Sequence, residues 1–323
     1  MAYAGEVIFL ATLRAERLLI RQNKKVLDEF KNAFQKPNNA HVQLIIINVV
    51  VFITLGVIMV ISEIGGFSIF FDAIHTQFQI PARLSSFIAR PWTLLTYAFA
   101  HDLSGIFHIL FNMITLYWFG KLFVEYLGSD KLVAVYILGA IAGALFYLLS
   151  YNSIPYFVER SAAGQIVMVG ASASINAIVV AAATLLPDYT FFLLFFGAVR
   201  IKYIAGVIVF LSFLGTIGSN AGGNIAHLGG ALMGFIYIKQ LQAGINWGGW
   251  ITITIDWVKG LFQSRPKVKV TYRKEEPKAK KTSAGFNKAS QEEIDTILDK
   301  ISDRGYESLS KEEKEKLFNA SKK

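Results

Sequence analysis

Ser172, His227, His108 and Asn112 are of types that suit one chemistry. A serine hydroxyl is a weak nucleophile until a base within hydrogen-bond reach takes its proton, and neutral histidine, with an ordinary pKa of about 6.5, is suited to that task. If Ser172 faces His227, the pair can attack a carbonyl carbon. The carbonyl oxygen then becomes an oxyanion and needs donors: Asn112 offers an amide N–H, His108 an imidazole N–H, and the helix start at Ser172 its free backbone N–H groups and the positive end of a dipole. His108 and Asn112 stand four apart in HILFN, on one helical face. Ser172 opens GASASIN together with Ser174 and Asn176, and His227 lies in NIAHLGGALMG.

The elements that carry these residues are apolar. Of 323 residues, 54% are hydrophobic and only 17% charged, against roughly a quarter charged in soluble domains, which argues for a membrane protein. Runs long enough to cross hydrocarbon, roughly 20 residues each, fall near 42–61, 105–120, 131–150, 168–186, 203–219 and 225–241. Lysine and arginine concentrate in the leading tail, at Lys121 and Lys131, at Arg200 and Lys202, and in the trailing tail, so those segments are expected on the cytoplasmic side. Six spans with both termini inside fit this pattern. The formal charge of +9 is accounted for by topology and anionic lipid headgroups, and no nucleic-acid motif is present. The chain has no cysteine, which excludes disulfides, thiol catalysis and cysteine-ligated metals.

With both ends inside, spans two, four and six run inward from the outer face, each with its polar cluster in its first turns. At about 1.5 Å per residue, His108, Ser172 and His227 are expected at similar depth, on the order of 5–10 Å below the outer boundary. His227, Gly230 and Gly234 share one face, a small-residue stripe that lets another helix approach closely, and Ala173, Ala177 and Ala181 form a similar stripe on span four. Taken singly, a serine in a span more often bonds back to its own helix, and an intramembrane histidine more often serves a proton or ion path. The combination at matched depth favours hydrolysis. Ser174 and Asn220 keep a packing role. His101, Asp102 and His108 fit no strong metal-ligand spacing, so no metal site is expected there.

Five regions are expected: a cytoplasmic basic amphipathic tail at 1–41, the six-span core at 42–241, an interfacial aromatic segment at 242–262 with Trp247, Trp250 and Trp257, a flexible basic linker at 263–289, and a small cytoplasmic helical hairpin at 290–323. The first 40 residues lack the pattern of a cleaved signal peptide. Capping boxes at Ser290–Glu293 and Ser310–Glu313 mark the hairpin, whose partner the residues do not identify. The long stretch 62–103 is expected at the outer interface, and PDYTFFLLFFGAVRIK as an interfacial segment leading into span five.

In these residues the chain resembles the rhomboid intramembrane serine proteases. HILFN at 108–112 is similar to their H-x-x-x-N motif, GASA at 170–173 to G-x-S-G or G-x-S-A, and AHLGGALMG at 226–234 to A-H-x-x-G-x-x-x-G, in the same order and spans. The resemblance covers about 42–241. It implies an all-α, six-transmembrane-helix bundle that hydrolyses peptide bonds by a Ser–His dyad without metal or cofactor, with Ser172 as nucleophile, His227 as general base, and His108 and Asn112 stabilising the oxyanion. Gly170, Gly230 and Gly234 are expected as helix-packing residues. Implied partners are single-span membrane proteins, cut near the outer face, and the lipid bilayer. A bacterial inner membrane is the expected location. Many members carry an aromatic residue, stacked on the imidazole, where this chain has Asn176, and a hydrogen bond from Asn176 is one candidate means of orienting His227. The Trp-Arg pair of the first loop appears as Trp92-Thr93. Two other readings stay open, a catalytically inactive rhomboid-like protein that binds membrane clients and a small transporter.

Overall fold

The structure, a computed structural model, describes residues 32–33, 36–162, 164, 166–193, 196–262 and 291–321. The expected linker at 263–289, Ser290 and most of the basic tail lie outside the described residues. In chain order the elements are α1 (Ala40–Ile64), α2 (Ser68–His75), β1 (Ile80–Pro81), α3 (Leu84–Ile88), α4 (Thr93–Thr96), α5 (Ile106–Leu127), α6 (Ser129–Ser153), α7 (Pro155–Ala162), β2 (Val167–Met168), α8 (Ser172–Leu185), β3 (Thr190–Leu193), β4 (Gly197–Arg200), α9 (Ile201–Leu214), α10 (Ala221–Gln242), α11 (Gly249–Phe262), α12 (Gln291–Arg304) and α13 (Lys311–Ser321).

The six apolar runs correspond to α1, α5, α6, α8, α9 and α10. Three of these, α1, α5 and α6, are long and apolar enough to cross a membrane. Helix α8 has 14 residues, roughly 21 Å of rise against roughly 30 Å of hydrocarbon. Between α5 and α6 the chain reverses at Gly128, whose φ of +82° is a conformation that a side chain disfavours; its N–H still donates to the Val124 carbonyl at 2.9 Å.

Helices α6, α8 and α10 pack where side chains are smallest. A Cβ added at Gly230 would run into the Ala173 carbonyl, and one at Gly234 into the Ala177 carbonyl. From the other side, a Cβ at Gly143 would meet the Ala173 Cβ, and one at Gly139 the Ala177 Cβ. The alanine stripe of α8 is therefore held between glycines of two helices, one turn per pair, so the Gly230 and Gly234 stripe does pack as its spacing implies. Where helices compete with equally apolar lipid, such close backbone approach is a main source of association. On the outside, Val50, Ile53 and Val57 of α1 and Val207, Phe210 and Phe213 of α9 are exposed.

Two stretches expected at the membrane interface contain regular structure. The segment 62–103 forms α2 to α4, tied down by non-local bonds: the Tyr97 hydroxyl donates to the Ala140 carbonyl at 2.7 Å and the Tyr136 hydroxyl to the Ala98 carbonyl at 2.6 Å. At Trp92-Thr93, Thr93 is buried and donates to the Arg90 carbonyl at 2.7 Å, while the Arg90 guanidinium donates to the Thr76 carbonyl at 2.8 Å. Strand β1 pairs antiparallel with β2. The run after α8 is a β-hairpin, β3 with β4, so the fold is not purely helical. In it Phe191 packs on Phe119 at 5.0 Å between ring centroids while Phe192 is exposed. The unbroken apolar run hides that alternation.

The second unit, described by itself, begins near Arg265. Its helices α12 and α13 bury Ile297 and Leu309. The Glu313 carboxylate accepts the Ser310 N–H at 2.7 Å and the Ser310 hydroxyl oxygen accepts the Glu313 N–H at 3.2 Å, the reciprocal pattern of a capping box. Lys300 reaches Glu313 at 2.9 Å.

The glycine contacts generate a test. Gly234→Ala is expected to destabilise the folded state by about 1–3 kcal/mol, because backbone must move to admit the methyl group. Gly206→Ala, with nothing within 4 Å, should be neutral or stabilising by up to about 1 kcal/mol. Reversible unfolding in mixed micelles measures both; equal effects would refute the packing argument.

Candidate active site

Ser172 is the first residue of α8, preceded by Ala171 at the cap. The amides of this first turn have no intrahelical acceptor. The hydroxyl therefore projects from a helix start rather than from mid-helix, where it would bond back four residues. His227 sits in the second turn of α10, three residues before Gly230. The contact of Gly230 with Ala173 brings that turn to the start of α8, and His227 Nε2 lies 2.7 Å from Ser172 Oγ.

The same register gives His227 a second partner. Ser212, buried on α9, has its Oγ 3.3 Å from His227 Nδ1. Each imidazole nitrogen thus faces one hydroxyl. Asn176 does not orient the ring: its amide donates to the Ser172 carbonyl at 2.8 Å and its buried Oδ1 has no partner. An amide four residues along a helix reaches its own backbone more readily than a ring on another helix, which corrects the candidate bond to His227. Ser212 escaped the sequence reading because a single serine in an apolar run reads as a back-bonded packing residue.

Gly170 also differs from expectation. It does not pack between helices but lies in the extended approach to α8, at φ +134°. Its N–H donates to the Tyr97 carbonyl at 3.0 Å. A Cβ there would stand 3.3 Å from the His108 ring and 3.5 Å from Ser172 Oγ. The absent side chain lets His108 and Ser172 approach a common point.

Asn112, one turn after His108 on α5, is buried, and its Nδ2 has no hydrogen-bond partner. A buried amide without an acceptor is costly and marks a donor held open. Two cavities meet at Ser172. One, about 520 Å³, is lined by His75, Gln79, Asp102, His108 and Gly170. The other, about 490 Å³, lies between α5, α8 and α9 and is lined by Phe107, Phe111, Asn112, Ile208, Leu211 and His227. Asn220, given a packing role from sequence, lines both.

His101 is fully buried, with neither ring nitrogen bonded, and packs edge-on against His108 at 5.4 Å between centroids. Burial, with a smaller push from His108, holds it far below the ordinary histidine value, at about 3, so its ring is neutral. Asp102 accepts the Ser104 N–H at 2.9 Å, and that bond keeps its carboxyl below the usual range. Among the described residues no group of three or more His, Asp or Glu side chains is arranged to hold a metal.

The family model described as Rhomboid domain matches residues 89–242, and one described as a family of unknown function (DUF6576) matches residues 287–323. RHOMBOID-like protein 12, mitochondrial, of Arabidopsis thaliana is 33% identical over 162 residues, 47% of this chain and 47% of that protein. The chain spans about half the length of that curated relative. The first match contains Ser172, His227, His108 and Asn112, and leaves α1 outside.

Gly170→Ala should cost about 1–3 kcal/mol of stability for the unfavourable φ, whereas Asn176→Ala should change stability by less than about 1 kcal/mol, since one half of that amide is unsatisfied already. The same unfolding measurement ranks the two, and the reverse order would contradict the placement.

Proposed function

We propose that this chain, an integral membrane protein of the rhomboid family by its residues 89–242, is an intramembrane serine endopeptidase. The observation that carries the reading is the 2.7 Å approach of Ser172 Oγ to His227 Nε2. The hydroxyl donates to Nε2, the ring takes its proton, and Oγ bonds to the carbonyl carbon of a peptide. Negative charge develops on the carbonyl oxygen, where the unpaired Asn112 amide, the His108 N–H and the first amides of α8 act as donors. As the intermediate collapses, His227 returns the proton to the leaving amine, and water, activated by the same ring, then releases the acyl group.

The two cavities support a division of tasks. The apolar walls Phe107, Phe111, Ile208 and Leu211 suit the side chains of a transmembrane segment entering between α5 and α9. His75, Gln79 and Asp102 suit water and the unwound peptide. We read α1, α5, α6, α8, α9 and α10 as six membrane-embedded helices, with the lysine-rich ends on the cytoplasmic side and the site toward the outer face. Single-span membrane proteins are the substrate class, as the family resemblance implies. The unit around α12 and α13 is accessory in this reading.

Purified full-length protein with a fluorescent single-span peptide provides the test. Ser172→Ala and His227→Ala should each abolish cleavage, and Asn112→Ala should lower kcat by about 10²–10³-fold with peptide binding retained. Binding without cleavage by the natural chain would instead support a client-binding protein, and continued cleavage by Ser172→Ala would end the dyad scheme. A chain truncated after Phe262 should keep its activity; loss in a well-folded truncation would make the second unit part of the enzyme.

A further inference from the structure

We propose that Ser212 is a positioning residue that holds His227 in the tautomer able to accept the Ser172 proton. The inference rests on the dyad reading above and deepens it. Neutral imidazole carries one N–H and one lone pair, and here each nitrogen faces a hydroxyl: Ser172 Oγ at 2.7 Å from Nε2 and Ser212 Oγ at 3.3 Å from Nδ1. Two arrangements are therefore available. In one, Nδ1–H donates to Ser212 and the Nε2 lone pair faces the Ser172 hydroxyl, ready for proton transfer. In the other, Ser212 donates to Nδ1, Nε2–H points at Ser172, and the ring cannot act as base.

The dyad reading requires the first, in which the Ser212 oxygen accepts the Nδ1–H while Nε2 keeps the lone pair that faces Ser172 Oγ at 2.7 Å. When the ring takes the proton it becomes a cation with two N–H groups. Ser212 is already placed as acceptor, and its bond becomes charge-assisted, roughly twice as strong as a neutral one. An interaction that strengthens as the transition state forms raises turnover rather than binding. The residue that would otherwise act is unavailable, because Asn176 donates to the Ser172 carbonyl. The orienting contact comes instead from α9, a different helix from those of nucleophile and base.

The test uses the full chain in bilayers or detergent with 15N-labelled histidine, the His227 signal being assigned by its loss in His227→Ala. The natural protein should show Nδ1–H with an unprotonated Nε2. Ser212→Ala should shift the ring toward the other tautomer and lower kcat by about tenfold with KM little changed, while Ser212→Thr, which keeps the hydroxyl, should retain both tautomer and turnover. A Ser212→Ala protein with the natural tautomer and kcat within about twofold would overturn the proposal. So would Ser212→Thr failing alongside Ser212→Ala with matching losses of thermal stability, which would make the residue merely structural. The tautomer is read without substrate, so a chain that never cleaves sinks the peptidase reading and still returns an answer on Ser212.

Discussion

The contact on which the rest depends is the seating of α10 glycines on α8 carbonyls. Gly230 rests on Ala173 and Gly234 on Ala177, with Gly143 and Gly139 of α6 closing the other side. Ser172 is the residue before Ala173, and His227 is one turn before Gly230. Packing and chemistry therefore share one register. A slip of α10 by a single turn, about 5.4 Å, would carry the imidazole away from the hydroxyl and put side chains where no Cβ fits. The small residues hold Ser172 and His227 at hydrogen-bond distance, and they do so in a solvent that offers helices little hydrophobic reason to associate.

Around that centre, polar groups divide into those that are satisfied and those left open. Tyr97 and Tyr136 are buried, and each spends its hydroxyl on a backbone carbonyl, which fastens the segment before α5 to α6. The Tyr97 carbonyl in turn receives Gly170, so the approach to Ser172 is set from outside α8. The Asn112 amide and both nitrogens of His101, in contrast, are buried without partners. Buried groups are paired in the great majority of cases, and exceptions call for an explanation. In the proposed reaction the Asn112 amide is the donor reserved for the oxyanion. His101, a neutral ring packed against His108, limits the orientations open to its neighbour.

The unit around α12 and α13 follows a different logic. Its helices are short and strongly charged; a capping box and the Lys300–Glu313 pair accompany a small apolar seam at Ile297 and Leu309. Ion pairs that remain partly open to solvent contribute little to stability, so the seam and the caps are what order it. It shares neither the composition nor the chemistry of the membrane-embedded part.

Composition and spacing alone determined a good deal. Apolar runs located the helices, though not all of their ends, because lipid demands internally bonded backbone over a fixed length. The positions of Ser172, His227, His108 and Asn112 stood out because polar groups in such runs are costly. The glycine and alanine stripes identified the packed faces through helical period. What only the tertiary structure decided depends on contacts distant in sequence: the pairing of Ser212 with His227, the positive φ of Gly170 beside His108, the short helices of 62–103 hung from tyrosines, and the hairpin after α8. Local pattern records which face of a helix a residue occupies. Which neighbour meets that face, and which nitrogen of an imidazole it touches, follows from how separate helices are brought together.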